Sequence, residues 1–139
     1  MNLTSAEIFN IVFNWVQSSA LKGAVPNIYA DHAPQYPSNR NIKGEFIVIN
    51  TLSNAIGEGQ VATLNVNIYV PDLTPRENAV AQRYPNRERL AYLTRLAYEV
   101  LQGYTVTERW YFDVSSENII SDREMPYSFA NIKLTFKNF

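Results

Sequence analysis

Residues 63–70 read Thr-Leu-Asn-Val-Asn-Ile-Tyr-Val, the most regular alternation of side chains in this sequence. A period of two places successive residues on opposite faces of a β-strand. One face is then wholly aliphatic, with Leu64, Val66, Ile68 and Val70. The other face carries Thr63, Asn65, Asn67 and Tyr69. The stretch therefore predicts a strand with one face in the core and an end at Pro71.

Four further segments are typical of strands. Residues 27–30 form a short candidate before a long loop, and residues 45–52 form a candidate that is apolar on both faces. Near the end of the chain, residues 105–114 and 131–137 alternate as two paired strands do. The residues between them, 115–126, are mostly polar and predict a long loop at the tip of a hairpin.

The first helix has clear signals at both ends. Thr4 and Glu7 form the sequence pattern of a capping box, and the apolar residues that follow repeat with the helical period. Gly23 is expected to end this helix. Phe9 and Phe13 widen its apolar arc, which indicates that the helix is either deeply buried or covered by a neighbouring subunit.

A second main helix is expected over residues 87–102, with Asn86 as its cap. The order of elements is then α-β-β-β-α-β-β. Two helices cover only one face of a sheet, so the pattern predicts an α+β fold, a mainly antiparallel sheet of about four or five strands with two main helices packed on one face. Residues 1–139 are expected to form a single domain, because no repeat or change of composition marks a boundary.

Composition excludes several classes of protein. The chain has no cysteine, which rules out disulfides, thiolate metal sites and a cysteine nucleophile. It has 12 basic and 13 acidic residues, a balance that argues against binding to nucleic acid phosphates. No apolar run approaches the ~20 residues of a membrane span, and the first residues lack the pattern of a secretion signal. We therefore expect an intracellular protein that does not bind membranes.

Candidate catalytic and metal-binding groups are sparse. His32 follows Asp31, but no nucleophile motif accompanies this pair, and a loop residue is the favoured interpretation. The glycines at 57 and 59 lack the lysine and the strand-to-helix context of a phosphate loop. Three carboxylates share the predicted hairpin tip without calcium-loop spacing: Glu117, Asp122 and Glu124. The sequence therefore predicts no catalytic, metal or cofactor residue, no cofactor, and no enzymatic activity.

Contacts with other proteins are better represented. The chain has 9 tyrosines, a residue enriched at interfaces because it combines a large apolar area with one hydrogen bond. The polar face of residues 63–70 fits a protein contact and an ordinary exposed surface equally well. Arginines on the second helix predict a solvated face or salt bridges to an acidic partner. The predicted subunit or partner contacts are Phe9, Phe13, Asn65, Asn67, Tyr69, Arg87, Arg89 and Tyr111.

Residues 28–34 read Ile-Tyr-Ala-Asp-His-Ala-Pro, and they stand between the apolar first helix and the strand of residues 46–49. The alternating residues 64–70, the helical residues 90–101 and the hairpin 110–136 follow in that order. This series covers nearly the whole chain. It resembles the tail-terminator, or tail-completion, proteins of long-tailed bacteriophages, which take part in head–tail joining.

The resemblance implies a structural protein of a phage or prophage virion. Such proteins form an oligomeric ring, typically a hexamer, that stops growth of the tail tube and offers a docking face to the head. The implied partners are further copies of itself, the tail tube protein and a head or neck connector protein, with no specific nucleic acid and no membrane. The implied location is the virion tail, after synthesis in the bacterial host cytoplasm. The long loops would face these partners, with His32, Gln35, Tyr36, Arg40, Ile119, Ile120 and Arg123.

Three alternatives remain open. The first is another neck or tail component with the same order of elements. The second is a non-enzymatic intracellular adaptor module that binds a peptide or protein at a sheet edge. The third is an enzyme, which would need convergent polar residues in a pocket.

Overall fold

The computed structural model describes residues 1–33, 44–74 and 83–139. The helices in these ranges are α1 (Ser5–Gln17), α2 (Ala20–Ala24) and α3 (Arg87–Val100). The strands are β1 (Ile28–Ala30), β2 (Phe46–Ile56), β3 (Gln60–Pro71), β4 (Gly103–Thr105), β5 (Trp110–Ser121) and β6 (Tyr127–Asn138). Across the described ranges, no helix combines the length and the apolar character that crossing a membrane requires.

The strands form one sheet in the order β1-β2-β3-β6-β5-β4. β1 is parallel to β2, and every other neighbouring pair is antiparallel. The central strands β3 and β6 pair along their whole length, from Gln60 opposite Asn138 to Pro71 opposite Tyr127. We call the end with Gln60 the upper end of the sheet and the end with Pro71 the lower end.

The main core lies between the helices and one face of the sheet, which we call the covered face. The predicted core side of the alternating strand is confirmed, because its aliphatic side chains are all buried there. They meet Ile8, Val12 and Val16 from α1, and Leu90, Leu93 and Ala97 from α3. Each large aliphatic side chain buried in this way contributes roughly 1.5–3 kcal/mol to stability. The opposite side of the sheet is called the open face.

The predicted fold class is wrong in its strand count and its helix count. The described residues contain six strands in a mixed sheet with three helices, so the sheet is a larger part of the fold than expected. The short strand predicted at residues 27–30 is present as β1, whereas β4 was missed because its three residues are too few for alternation to be recognised. Gly103 follows directly after the helix expected over residues 87–102. It also begins β4, where it packs under the ring of Phe112.

The predicted polar loop over residues 115–126 is also wrong. β5 continues to Ser121, and the turn to β6 occupies only residues 122–126. A bulge lies between Val114 and Ser116, so one extra residue reverses the phase of the alternation. The hydroxyl of that extra residue, Ser115, donates a hydrogen bond to the carbonyl of Lys133 across the strand pair (3.1 Å). Because the alternation changes phase at the bulge, a search for a period of two does not recognise the second half of this strand.

The capping box of the first helix is confirmed, but the helix is shorter than expected. The Thr4 hydroxyl accepts from the Glu7 N–H (3.1 Å), and the Glu7 carboxylate accepts from the Thr4 N–H (3.0 Å). The helix ends at Gln17 rather than near Gly23. Ser19 then caps α2, with its hydroxyl accepting from the Leu21 N–H. Serine favours such local bonds over continued helix, which explains the break.

The capping box makes stability depend on acid. Hydrogen bonds from the backbone and side chain of Thr4 hold the pKa of Glu7 below its ordinary value of 4.5. A lowered pKa means that the carboxylate stabilises the fold above pH 4.5 and that this contribution is lost as pH falls through the folded pKa. We therefore expect Glu7→Gln to melt below the wild type at pH 7 and together with it at pH 2. Thermal melts followed by circular dichroism measure this, and an equal difference at both pH values would contradict it.

Candidate protein-interaction surfaces

A row of aromatic rings crosses the lower half of the open face. Tyr69 of β3 lies opposite Phe46 of β2 and Phe129 of β6. Its ring stacks on both, with centroids 4.5 Å and 4.6 Å away. Tyr29 of β1 meets Phe46 edge-on at 5.9 Å and extends the row. Because both faces of Tyr69 are covered by neighbouring rings, this residue offers no free face on which a base or a sugar could stack.

Burial changes the chemistry of this row. Removal from water raises the pKa of the Tyr69 hydroxyl, and the nearby Asp122 raises it further. Burial also raises the pKa of Tyr127, whose ring packs on Phe46. The Tyr127 hydroxyl donates to the carbonyl of Gly44 (3.0 Å), so it holds the chain just before β2. Both phenols stay protonated near neutral pH and serve as neutral contacts rather than as acids or bases.

Asparagines occupy the middle of the open face. Asn65 donates to the side-chain oxygen of Asn50 (3.0 Å), while Asn131 donates to Asn65 (3.1 Å) and to Asn67 (2.6 Å). Asn65 and Asn67 are only 9% and 8% exposed. The structure thus places these two predicted contact residues on the expected face, but bonded to neighbouring strands. Their amides hold β2, β3 and β6 in one register.

An arginine fastens the lower end of the sheet. Arg83 forms a salt bridge with Asp72 (3.3 Å) and donates to the carbonyls of Asp122 (3.0 Å) and Met125. The other oxygen of Asp72 accepts from the hydroxyl of Ser128 (2.6 Å). The Asp72 side chain is almost fully buried, and burying an unpaired carboxylate would be costly. This network fixes the β5–β6 turn, where the predicted contact Arg123 is exposed.

A second ion pair engages Arg89, one of the predicted partner contacts, within the chain itself. Arg89 binds Glu45 through two hydrogen bonds, of 2.6 Å and 2.8 Å, and its guanidinium also lies over the ring of Tyr92. The hydrogen bond with Glu45 raises the pKa of Arg89 above its ordinary value. The pair joins the start of α3 to the start of β2. Arg89 is thus engaged within the chain, whereas Arg87 in the same turn is exposed.

The two flanks of α1 differ. Phe9 and Phe13 stack on each other at 5.3 Å and are half-buried against the main core. On the other flank, the indole of Trp15 donates to the carbonyl of Val100 (2.7 Å) at the end of α3. A groove of about 630 Å³ opens beside Trp15 and reaches Trp110 on β5. Of the two alternatives for α1, the structure shows burial on the Phe9 flank and an open groove on the Trp15 flank.

Several exposed apolar side chains lie near the upper end of the sheet, on both of its sides, and others lie lower on β5 and on the helices. We call Leu52, Ile56 and Val61 the hairpin patch, because all three belong to the β2–β3 hairpin. We call Tyr104, Val106 and Phe139 the β4 patch. Tyr111, one of the predicted partner contacts, stacks on Phe139 with ring centroids 5.7 Å apart. The ammonium group of Lys137 lies 5.8 Å from the centroid of the Tyr111 ring. Both patches are apolar, but they consist of different residues carried by different strands.

The remaining predicted residues fall in different places. His32 lies in the exposed turn after β1, with Nδ1 3.2 Å from the carbonyl oxygen of Ala33. Ile119 and Ile120 lie in β5 and not in a loop, with each more than a third exposed. Gln35, Tyr36 and Arg40 lie outside the described residues. Within the described ranges, no group of three His, Asp or Glu side chains is arranged to hold a metal ion.

Several residues of these surfaces were not predicted from the sequence. Asn50 and Asn131 complete the amide network, yet each reads as an ordinary polar residue in a strand. Trp110 lines the groove beside Trp15 and also lines a shallow depression at the β4 patch. A signal for Trp110 existed, because a tryptophan in an alternating strand marks a large packing contact. No signal for the asparagines existed, because their meeting depends on the register between strands.

Neither the protein-family models nor the curated proteins include a match to this sequence.

Proposed function

We propose that this chain is a non-enzymatic structural protein of a phage or prophage tail. Copies of it form a ring that caps the tail tube and joins it to the head or neck. The order of elements, which resembles tail terminators, supplies the class of function. The observation that carries the proposal is the pair of exposed apolar patches on opposite edges of one sheet.

Unlike patches on one subunit have a definite consequence for assembly. A two-fold dimer buries the same patch on both partners, whereas a contact between two different patches leaves one of each free. Copies then add head to tail until the rotation closes a ring. The hairpin patch and the β4 patch lie on opposite edges, so they fit the second arrangement. Tyr104, Val106 and Ile56 are 71%, 73% and 62% exposed, and exposed apolar side chains that cluster mark contacts with other proteins.

The implied role is tested with the tube protein encoded in the same phage or prophage genome. Purified tube protein is polymerised with and without this chain, and tube length is measured by negative-stain electron microscopy. We expect shorter tubes whose ends carry a ring of added density. Unchanged tube growth, with no density at either end, would overturn the capping function.

The assembly contact has its own prediction. We expect Val106→Lys and Ile56→Lys each to weaken self-association by at least about tenfold, because each places a charge in a buried apolar contact. The fold should be unchanged, since both side chains are exposed. Leu73→Lys is the matched control, because Leu73 is exposed and apolar but lies at the lower end. Sedimentation at several concentrations measures the effect, and equal association of all three variants would refute the role of the patches.

One observation favours the adaptor as a second candidate. The outer side of β5 is paired with β4 only over residues 110–112, so a partner strand could add to the rest. An adaptor of this kind would be a stable monomer that binds one extended peptide. A monomer that neither associates with itself nor caps tubes would favour this function over the ring.

A further inference from the structure

On each edge of the sheet, a short edge strand pairs with only part of its longer neighbour and leaves the rest of that neighbour without a partner strand. We call this arrangement a step. β4 pairs with residues 110–112 of β5, and within the described residues no strand pairs with the outer side of residues 113–121. These nine residues of β5 are exposed or half-exposed along their whole length. Long uncovered edges of this kind are sites of strand addition unless they are protected. The bulge at Ser115 interrupts the start of this stretch, whereas Ile119 and Ile120, beyond the bulge, lie without the lysine or proline that commonly protects an edge.

The opposite edge has a similar step. β1 pairs with residues 47–49 of β2, and within the described residues the outer side of 50–56 has no partner strand. Leu52 and Ile56 are exposed on this part of β2. The sheet therefore has one short strand and one open stretch on each edge.

The two steps are complementary. β5 begins at the upper end, because Trp110 lies opposite Asn138, so β4 is an upper strand and the open stretch of β5 is lower. β2 begins at the lower end, because Phe46 lies opposite Tyr69, so β1 is a lower strand and the open stretch of β2 is upper. When two copies stand side by side, β4 of one faces the open stretch of β2 in the next. β1 of that next copy faces the open stretch of β5.

The free backbone groups fit this arrangement. The Asp122 N–H donates to the Tyr127 carbonyl across the β5–β6 pair, so by alternation the N–H groups of Glu117 and Ile119 point outward. On β1, the Asn27 carbonyl accepts from Ile47, and the Asp31 N–H donates to Ile49. The same alternation leaves the Ile28 N–H and C=O pointing away from β2.

We propose that neighbouring copies join through these steps, with β1 of one copy adding antiparallel to residues 113–121 of β5 in the next, and β4 facing residues 50–56 of β2. The proposal rests on the ring function proposed above and specifies its subunit contact. The joined sheets then run continuously around the ring. We assign a second copy of the chain as the partner at these edges, because one chain carries both complementary steps. A single peptide would fill one step and leave the other open.

Charge agrees with this occupant. The open stretch of β5 carries the carboxylates Asp113 and Glu117. Residues 28–30 and 50–56 contain no charged side chain, so these carboxylates meet no like charge in the facing strands. A contact that placed two copies of β5 side by side about Glu117 would instead bring identical carboxylates together, which is destabilising.

Engineered disulfides test the pairing, and the chain has no natural cysteine to interfere. Ala30→Cys is combined in turn with Glu117→Cys, Ile119→Cys or Ser121→Cys, whose side chains share the covered face. The matched controls combine Ala30→Cys with Asn118→Cys or Ile120→Cys, which point to the open face. Three partners are used because a disulfide needs Cα atoms roughly 4.4–6.8 Å apart and one register must meet this. Circular dichroism under reducing conditions verifies that each variant is folded.

After mild oxidation, we expect at least one covered-face pair to give a ladder of multiples of 15.9 kDa on a non-reducing gel, and the control pairs to stay monomeric. Oligomers seen by light scattering without a pair-specific ladder would overturn the edge contact and leave the ring function standing. A monomer by light scattering, with no ladder and no effect on tube growth, would overturn both.

Discussion

Ile68→Asp is expected to unfold the protein at room temperature. Ile68 is completely buried in the middle of β3, between Ile47 of β2 and Ala130 of β6. An aspartate there has no hydrogen-bond partner, loses the apolar contact, and must either remain charged in the core or take up a proton. The combined cost exceeds about 4 kcal/mol, a large part of the ~5–15 kcal/mol that stabilises a typical domain. Circular dichroism and urea unfolding measure it.

The control for this change lies on the same strand. Val61→Asp introduces the same residue into β3, but on the open face, where Val61 is 40% exposed. We expect that variant to fold with nearly the stability of the wild type. A native spectrum and an unchanged urea midpoint for Ile68→Asp would contradict the phase of the central strand and the position of the core.

Gly103→Ala is expected to destabilise the fold by about 1–3 kcal/mol, the usual cost of adding an atom to a packed core. A methyl group at Gly103 would lie 2.4 Å from the nearest ring carbon of Phe112. That ring is almost fully buried and is held by Trp110 and Phe136 on β5 and β6, so it has little room to move. β4 would separate from β5 before the ring yields. The free energy of unfolding in urea measures the change.

Gly23→Ala is the matched control for this second change. Gly23 lies within α2, and an added methyl group meets nothing within 4 Å. Alanine is the better helix former, so we expect a neutral or slightly stabilising effect, up to about 1 kcal/mol. If both alanine variants unfold at the wild-type midpoint, the close contact between Gly103 and Phe112 does not exist in solution.

The long elements of the fold were predictable because their signals are local. The capping box at Thr4 and the alternation of residues 63–70 each lie within one element, and both are confirmed. The short strand predicted at residues 27–30 is present as β1, whereas β4 was missed, because its three residues carry no recognisable period. The lower half of β5 was missed for another reason. A bulge at Ser115 shifts its phase, and most of its side chains are polar, as is typical where both faces of a strand are exposed.

The interaction surfaces were less predictable than the fold. Asn65 and Asn67 were expected on the polar face, but their bonds to Asn50 and Asn131 depend on the register of three strands. The steps on the sheet edges depend on where β1 and β4 end relative to their neighbours. Which backbone N–H and C=O groups remain unpaired cannot be predicted from the residue types, because it depends on how the strands are arranged. The exposed apolar side chains were visible in the sequence, but their separation into two patches on opposite edges follows from the topology.

We propose that unlike patches of one chain join copies into a closed ring. The most direct test is the solution mass, measured by light scattering across a wide range of concentrations with negative-stain images of the same samples. We expect a concentration-dependent shift from monomer to one closed species of about six copies, seen as rings. A mass that stops at a two-fold dimer, or that stays at one chain at every concentration while tube growth is also unchanged, would contradict it.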